Sequence, residues 1–252
     1  MHQIDLNCDL GEIAGPAGEI LDAQLMPYVS SINVACGGHA GDVSRIRKVV
    51  DRALSLNVAI GAHPGYADRV NFGRVFVPLS AQEIYDLVLS QISMVETIVQ
   101  NCGGRLHHVK PHGALYNVAA TCRATSQAIA AAVLALNPQC RLIGFSGSCL
   151  TEAASAIGLR AVHECFADRN YRADGSLVPR NQPCAVLESA PEIAIRATSI
   201  VETGIIETVD GAPLSLHCDT LCIHSDTQDA VSIAAHIRNE FMQRGIEVKS
   251  VD

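Results

Sequence analysis

The chain has 252 residues, 48% hydrophobic and only 4% aromatic, with a formal net charge of −8. This length suits one large α/β domain, residues 1–252, better than two small ones. The acidic charge argues against nucleic acid or an anionic membrane as a partner, because either would repel the surface. The start, MHQIDLNCDLGE, lacks the positive charge of a signal peptide, and no apolar run approaches the length of a membrane span, so we expect a soluble cytoplasmic protein.

The amino-terminal half alternates short apolar runs with helical patterns. The runs 4–8, 32–36, 58–62 and 106–109 have the length and aliphatic composition of β-strands. A one-sided apolar pattern predicts a helix over 43–56, with Asp42 as its N-cap residue. Ser80 and Glu83 have the spacing of a capping box and predict a second helix that ends at Gly103.

The carboxyl-terminal half continues the alternation, with strands predicted over 142–145, 161–165 and 221–224. Helices are predicted over 121–136, 149–157 and 228–244, and Ser189 with Glu192 predicts a capped helix after residue 189. The polar segment 166–183 is predicted to form a loop over the site. Asp210-Gly211, between short apolar runs, predicts a hairpin over 207–216.

Ten cysteines occur in the chain, but a long chain without an export signal is not the class that uses a disulfide framework. No CxxC pair is present. Cys8, Cys36, Cys165 and Cys222 lie in strand-like runs, where cysteine acts as a small hydrophobic residue. We therefore expect mostly buried free thiols.

Seven strands that alternate with helices predict a parallel sheet, either closed into a barrel or open and doubly wound. An open dinucleotide-binding sheet would carry a glycine-rich turn after its first strand. Residues 7–12, NCDLGE, are acidic there and would repel a pyrophosphate. An irregular seven-stranded parallel β/α barrel, similar to a TIM barrel, is therefore favoured.

Ionisable and polar residues follow the strands at their carboxyl ends, and in a parallel barrel all of these ends lie on one face, where active sites form. The side chains are Asn7, Asp9, Glu12, His39, His63, Lys110, His112, Glu164, Asp168, Arg169 and His224. We therefore predict that groups far apart in sequence meet in one pocket. Asp42 and Asp226 have alternative roles as helix caps, and His107 and His108 lie within a strand, where packing is the simpler role.

Two chemistries fit such a pocket. Asp9, His39 and His63 could bind a divalent metal that activates water, although no HExxH or HxH spacing supports this. Alternatively, Asp9 or a histidine acts as a general base, while Lys110 and His112 stabilise negative charge on a carbonyl or phosphoryl oxygen. The chain has neither a GxxxxGK[ST] loop nor a GxSxG elbow, so any nucleotide would bind elsewhere, for example on a partner chain.

These strand ends also carry a resemblance that runs essentially from end to end. The segments DLNCDLGE (5–12), NVACGGHAGD (33–42), GAHPG (61–65), VKPHGALY (109–116) and FADR (166–169) strongly resemble the LamB/YcsF family. Characterised members of that family are the A subunit of bacterial ATP-hydrolysing 5-oxoprolinase. The resemblance implies an irregular barrel similar to those of glycoside hydrolases and deacetylases.

The resemblance also implies a reaction. The lactam of 5-oxo-L-proline would be opened to L-glutamate with ATP as co-substrate, together with subunits B and C, which would engage the ATP. Asp9 or Glu12 would then orient or deprotonate water, with His39 and His63 beside it. Lys110 and His112 would hold the activated oxygen, and Arg169 or Arg180 would pair with the substrate carboxylate. Asn7, Asp168 and His224 complete the expected substrate-binding residues.

Two alternatives remain open at this stage. One is a metal-dependent deacetylase that acts on an N-acetylated carbohydrate, in the same structural class. The other is a non-catalytic regulatory subunit that only modulates its partners. The sequence leaves the presence of a divalent metal undecided.

Overall fold

The strands and helices were located in a computed structural model of the chain, which describes residues 2–180, 182–227 and 229–252. The strands are β1 (Gln3–Leu10), β2 (Ser31–Ala35), β3 (Ala59–His63), β4 (His108–Val109), β5 (Arg141–Phe145), β6 (Arg160–Phe166), β7 (Ile205–Glu207), β8 (Pro213–Ser215), β9 (Thr220–Ile223) and β10 (Glu247–Val248). The helices are α1 (Gly15–Leu25), α2 (Val43–Ser55), α3 (Ala81–Asn101), α4 (Gly113–Thr121), α5 (Arg123–Leu136), α6 (Cys149–Ala156), α7 (Ala190–Thr203) and α8 (Ala230–Gln243).

Seven parallel strands form a closed barrel in the order β1-β2-β3-β4-β5-β6-β9, because β9 also pairs with β1. The predicted parallel barrel is therefore confirmed. The short strand β10 pairs with the beginning of β1, outside the ring. Because every pairing in the ring is parallel, the carboxyl ends of all seven strands lie on one rim.

One face of strand β1 packs in the apolar core under the helices, and the other face points into the barrel. Its alternate residues Leu6, Cys8 and Leu10 belong to the aliphatic core shared with the surrounding helices. The residues between them point into the barrel, where the fully buried Asn7 donates to Glu164 and Thr220. The layer inside the barrel is thus polar and hydrogen-bonded, whereas the layer between barrel and helices is apolar.

Several local predictions are confirmed. Asp42 caps α2 by accepting a hydrogen bond from the Arg45 backbone amide, and both halves of the Ser80–Glu83 capping box are present. The predicted hairpin is the antiparallel pair β7–β8. All ten cysteines are free in the described chain, and the four that were expected in strands are buried.

Other local predictions are wrong. Ser189 precedes α7 but makes no capping hydrogen bond through its side chain. Asp226 is not the cap of α8, since it pairs with Arg74 and Arg180 instead. The predicted helix 121–136 is confirmed as α5, which begins at Arg123, whereas α1 and α4 were not predicted. The predicted start of the last helix, Gln228, lies outside the described residues.

No single helix among the described residues is both long and apolar enough to cross a membrane. Helices α4 and α5 reach that length and apolarity only as a pair, and the pair is bent by 115°.

The two histidines of β4 have structural partners. His108 is fully buried and donates from Nε2 to Asn33 Oδ1 (2.8 Å), so its ring lies inside the barrel. The ring crosses the neighbouring strand at Gly61, where a Cβ atom would lie 2.1 Å from His108 Nε2. His107 donates from Nε2 to the carbonyl of Val251 (2.8 Å) and ties the carboxyl-terminal segment to the barrel.

His107 should make the stability of the fold depend on pH. Burial, followed by repulsion from Arg141, lowers its pKa to about 4, whereas an unfolded histidine titrates at about 6.5. The unfolded chain therefore binds more protons between these values, and stability that is complete above pH 6.5 is lost as the pH falls towards 4. Over this pH range, we expect the free energy of unfolding to fall by up to about 3 kcal/mol less in a His107→Gln variant than in the natural chain. Urea unfolding at a series of pH values measures the difference, and two parallel curves would contradict it.

Candidate active site

A cavity of about 650 Å³ opens at the carboxyl rim of the barrel. Its floor is formed by charged and imidazole side chains from several strand ends, and its mouth by the loops after β3, β6 and β9. The floor residues are Asp9, Glu12, His63, Lys110, His112 and Glu164, and the mouth includes Arg74, Arg180, His224 and Asp226. The predicted meeting of remote residues in one pocket therefore holds for most of them.

Lys110 lies at the centre of the floor and is almost completely buried. Its ammonium group lies 2.9 Å from Asp9 Oδ1, 2.8 Å from Glu164 Oε1 and 3.0 Å from Asn7 Oδ1. Burial lowers its pKa, but Asp9 and the neighbouring Cys222 and Glu164 outweigh burial and raise the pKa well above the ordinary value. Lys110 is thus a permanent cation whose donors are taken up by these neighbours.

Asp9 faces both the cation and a histidine. Its Oδ2 lies 3.4 Å from His63 Nε2, and its Oδ1 also accepts from Asn33 Nδ2 (2.8 Å). Burial alone would raise its pKa, but the charges of His63 and Lys110 hold it well below the usual range. Asp9 is therefore an ionised carboxylate at neutral pH, better suited to orienting water than to removing a proton from it.

Glu12 lies beside two parallel imidazole rings. Its Oε1 lies 3.0 Å from His39 Nε2 and 3.1 Å from His112 Nδ1. The two rings stack with centroids 3.6 Å apart. Burial raises the pKa of Glu12, but its close contacts with His112 and His39 dominate and bring it to about 2. Burial lowers the pKa of His39 to about 4, so His39 is neutral at physiological pH.

The third histidine, His63, lies between Asp9 and Lys110 on one side and Glu12 and His112 on the other. Its Nδ1 donates to the backbone carbonyl of Lys110 (2.7 Å), and its Nε2 lies 3.0 Å from His112 Nδ1. Burial opposes protonation of this ring, but the carboxylates of Asp9 and Glu12 raise its pKa above the ordinary value.

Glycines leave room for the histidine pair. A Cβ atom at Gly65 would lie 2.9 Å from His39 Nδ1, and one at Gly73 would lie 2.8 Å from His39 Cβ. The buried Gln91 of α3 holds Gly65 in place by accepting from its amide and donating to its carbonyl. Gly65, the second glycine of the GAHPG segment, is therefore required because its backbone closely approaches the ring of His39.

The mouth contains three arginines with different surroundings. Arg169 is buried and donates to the backbone carbonyls of Val178 and Ala185, so it holds the loop after β6 in place. Arg74 and Arg180 are partly exposed, and both pair with Asp226. These two arginines present positive charge to a ligand that enters the cavity.

His224 and Asp168 form a pair at the edge of the cavity. Asp168 is buried behind the histidine and accepts from His224 Nδ1 (2.8 Å). Burial raises the pKa of Asp168, but the charge of His224 outweighs burial and lowers it. His224 lines the cavity, whereas Asp168 acts only through it.

Not every predicted site residue lies in the cavity wall. His39 is 2% exposed and lies behind His112. Asn7 is fully buried one layer below the floor, where Glu164, Thr220, Lys110 and Asn33 occupy its amide group. The buried position of Asn7 therefore does not support its expected contact with a substrate.

Three residues that line the cavity had no role assigned from the sequence: Glu164, Tyr116 and Arg74. Tyr116 donates to Glu164 Oε2 (2.6 Å), and Glu164 in turn holds Lys110. Glu164 was expected at the rim as an acid at the end of an apolar strand, but not as the partner of Lys110. Arg74 lies in the non-repetitive segment between β3 and α3, where the sequence has no periodicity to interpret.

The expected metal ligands are rearranged in the structure. His39 turns its Nε2 towards Glu12, so Asp9, His39 and His63 do not converge on one point. Instead, Glu12, His63 and His112 each offer one ligand atom, and these atoms lie within 4.8 Å of one another. A carboxylate and two imidazoles are a donor set that suits a divalent transition metal.

Comparisons with known proteins agree with this arrangement. The chain is 46% identical to the A subunit of 5-oxoprolinase from Tolumonas auensis, with all of both chains covered. It superposes on the crystal structure of a lactam utilization protein from Thermus thermophilus with a TM-score of 0.92, at 40% identity, over 99% of this chain and 100% of that one. A T48 deacetylase solved with substrate matches with a TM-score of 0.50 at 13% identity, over 100% of this chain and 89% of that one, and supports the barrel fold alone.

The LamB/YcsF family model matches residues 4–252, which is nearly the whole chain. The match includes the seven strands of the barrel, apart from Gln3 at the start of β1, and every residue of the cavity floor. The chain is therefore a member of the LamB/YcsF family.

Proposed function

We propose that this chain is the A subunit of an ATP-dependent 5-oxoprolinase, a hydrolase that opens the lactam of 5-oxo-L-proline to give L-glutamate. The full-length relative from Tolumonas auensis is named as such an A subunit. The observation that carries the proposal is the cavity floor, where an ionised carboxylate, Asp9, lies beside a buried cation, Lys110, and a histidine cluster. Such a floor can position water next to a polarised carbonyl group.

The cavity suits a small acidic substrate. Its volume of about 650 Å³ exceeds what a five-membered ring needs and leaves room for a phosphoryl group on that ring. Arg74 and Arg180 at the mouth can pair with the substrate carboxylate. Arg169 was also predicted to have this role, but its N–H groups donate to backbone carbonyls of the loop after β6.

The chemistry explains why ATP is needed. A lactam is stabilised by resonance, and its nitrogen is a poor leaving group. Phosphorylation of the amide oxygen by the partner subunits B and C would make the ring carbon more electrophilic. Water then adds to that carbon, and the carbon–nitrogen bond breaks as the nitrogen takes up a proton, which gives the free amine and an acyl phosphate on the side chain. A second water attacks the acyl phosphate and releases inorganic phosphate, which leaves the side-chain carboxylate of glutamate.

The residues of the floor divide this work. Asp9 orients the attacking water, and Lys110 keeps Asp9 ionised. His112 lines the cavity beside the activated oxygen, with Glu12 and His39 fixing its ring. His224, oriented by Asp168, is placed to exchange a proton with the ring nitrogen.

This division of labour assigns residues 1–252 to a single catalytic domain and places the ATP-binding site on the partners. The sequence has no phosphate-binding loop of the common type, which agrees with that assignment. The alternative of a metal-dependent deacetylase shares the barrel and the histidine cluster. The full-length relatives favour the lactam substrate.

The proposal is tested by reconstitution. The chain is mixed with 5-oxoprolinase subunits B and C, 5-oxo-L-proline and ATP, and glutamate is measured over time. We expect release of glutamate only when all three proteins and ATP are present. Equal release by B and C alone, or release of acetate from an N-acetylated sugar by this chain alone, would contradict the proposal.

A further inference from the structure

The cluster of Glu12, His63 and His112 has the dimensions of a metal site. The three distances between its ligand atoms are 3.0 Å from His63 Nε2 to His112 Nδ1, 3.1 Å from His112 Nδ1 to Glu12 Oε1, and 3.7 Å from His63 Nε2 to Glu12 Oε1. A point about 1.9 Å from all three atoms lies at the centre of this triangle. Zinc binds imidazole nitrogen and carboxylate oxygen at about 2.0 to 2.2 Å, so a small displacement towards the cavity gives normal bond lengths.

Hydrogen bonds on the far side of each ring fix which nitrogen carries a proton. His63 Nδ1 lies 2.7 Å from the carbonyl of Lys110, and His112 Nε2 lies 2.9 Å from the carbonyl of Phe72. A carbonyl only accepts, so each of these nitrogens is a donor. In neutral rings the lone pairs of His63 Nε2 and His112 Nδ1 then point at each other and at the carboxylate of Glu12, and a bound cation would satisfy all three groups.

The surroundings of the cluster resemble those of established metal ligands. Metal-binding histidines usually donate their second nitrogen to a carbonyl or carboxylate, and both rings here do so. The proposed ligand oxygen of Glu12, Oε1, also lies 3.0 Å from His39 Nε2, which fixes its position. Asp9 Oδ2, 3.4 Å from His63 Nε2, is close enough to bind a water on the metal.

The cluster is also accessible. Glu12, His63 and His112 all line the cavity, so positions opposite the three ligands face the space where the substrate is proposed to bind. A site with three protein ligands and an open position is the arrangement of catalytic rather than structural zinc.

We infer that Glu12, His63 and His112 form a binding site for one divalent transition-metal ion of the zinc class. Two imidazole nitrogens exclude calcium and magnesium as the preferred ions, because both favour all-oxygen sites. When bound, such an ion would lower the pKa of a coordinated water. The inference goes beyond the proposed function, since metal binding is measured without turnover.

The experiment is a metal titration of the full chain. The protein is treated with a chelator, dialysed, and titrated with Zn²⁺ by calorimetry, and with Co²⁺ while the visible spectrum is recorded. We expect one equivalent of either metal, a Co²⁺ spectrum without the thiolate charge-transfer band that a cysteine site would give, and a higher melting temperature with Zn²⁺.

Matched variants locate the site. His63→Ala and His112→Ala are expected to weaken Zn²⁺ binding by more than about 100-fold, and His39→Ala by about 10-fold. His236→Ala, at an exposed histidine of α8, and Cys184→Ser, at an exposed cysteine, should bind as the natural chain does. If an alanine variant fails to fold, as judged by circular dichroism, the conservative Glu12→Gln variant takes its place and should lose binding while remaining folded.

The outcomes separate this inference from the proposed function. No stoichiometric metal uptake, or equal uptake by the natural chain and the Glu12, His63 and His112 variants, would overturn the metal site. Glutamate release by metal-free protein with B and C would then still support the function. One equivalent of metal bound at these residues in a protein that releases no glutamate would support the site and contradict the function.

Discussion

A Lys110→Met variant is expected to lose about 3 to 5 kcal/mol of stability and essentially all activity. The substitution leaves Asp9 and Glu164 as buried carboxylates without their cation, although Lys110 Nζ lies within 2.9 Å of both in the natural chain. A methionine fills the space of the side chain but cannot compensate the charge. Urea unfolding and the reconstituted glutamate assay measure the two effects.

A second variant and a control make this result specific. Adding Glu164→Gln to Lys110→Met removes one of the uncompensated charges and should restore part of the stability without restoring activity. Lys48→Met removes a lysine that is 58% exposed on α2 and should change the unfolding free energy by less than about 0.5 kcal/mol. A Lys110→Met protein as stable as the natural one would contradict the electrostatic account of the floor.

The second large effect is expected at Asp9. An Asp9→Asn variant keeps the shape of the side chain but loses the negative charge that orients water between His63 and Lys110. We expect glutamate release to fall by about 100-fold to 10,000-fold, the usual contribution of a positioned acid or base. The expected main effect is on kcat, because Asp9 acts on the water rather than on the substrate carboxylate.

The control for Asp9 is Asp51→Asn, at a side chain that is 58% exposed on α2. That variant should retain full activity. Unchanged glutamate release by Asp9→Asn would show that the chain has a regulatory rather than a catalytic role, and the catalytic assignment of the cavity would have to be abandoned.

The architecture and most of the cavity floor could be predicted from the sequence because both rest on repetition. Seven aliphatic runs recur with helical segments between them, and the same kind of polar residue follows strand after strand. Closure of the sheet converts that positional regularity into proximity. Asp9, Glu12, His63, Lys110 and His112 meet for this reason.

The depth of each side chain could not be predicted, because it depends on where a strand ends. Strand β1 was predicted over 4–8 but continues to Leu10, so Asn7 lies in the middle of the strand and below the floor. His39 follows β2 on a turn with positive φ angles at Gly37 and Gly41, which carries the ring behind His112. Pattern alone does not show which strand-end residues face the cavity.

The side-chain contacts across the barrel could not be predicted either. Glu164 on β6 reaches Lys110 beyond β4 and Asn7 on β1, and these contacts span 54 and 157 residues along the chain. Such pairs depend on the curvature of the closed sheet rather than on local sequence. The candidate ligand set for a metal changes for the same reason, since only the folded barrel places His112 Nδ1 within 3.0 Å of His63 Nε2.

The most direct test of the proposed site is a crystal structure of the chain soaked with 5-oxo-L-proline. We predict that the ring occupies the barrel cavity, with its lactam carbon facing Asp9 and His112 and its carboxylate paired with Arg74 or Arg180. Density for the ring at another place, such as the surface pocket lined by Arg172, Arg196 and β7, with the barrel cavity free of ligand, would contradict the assignment.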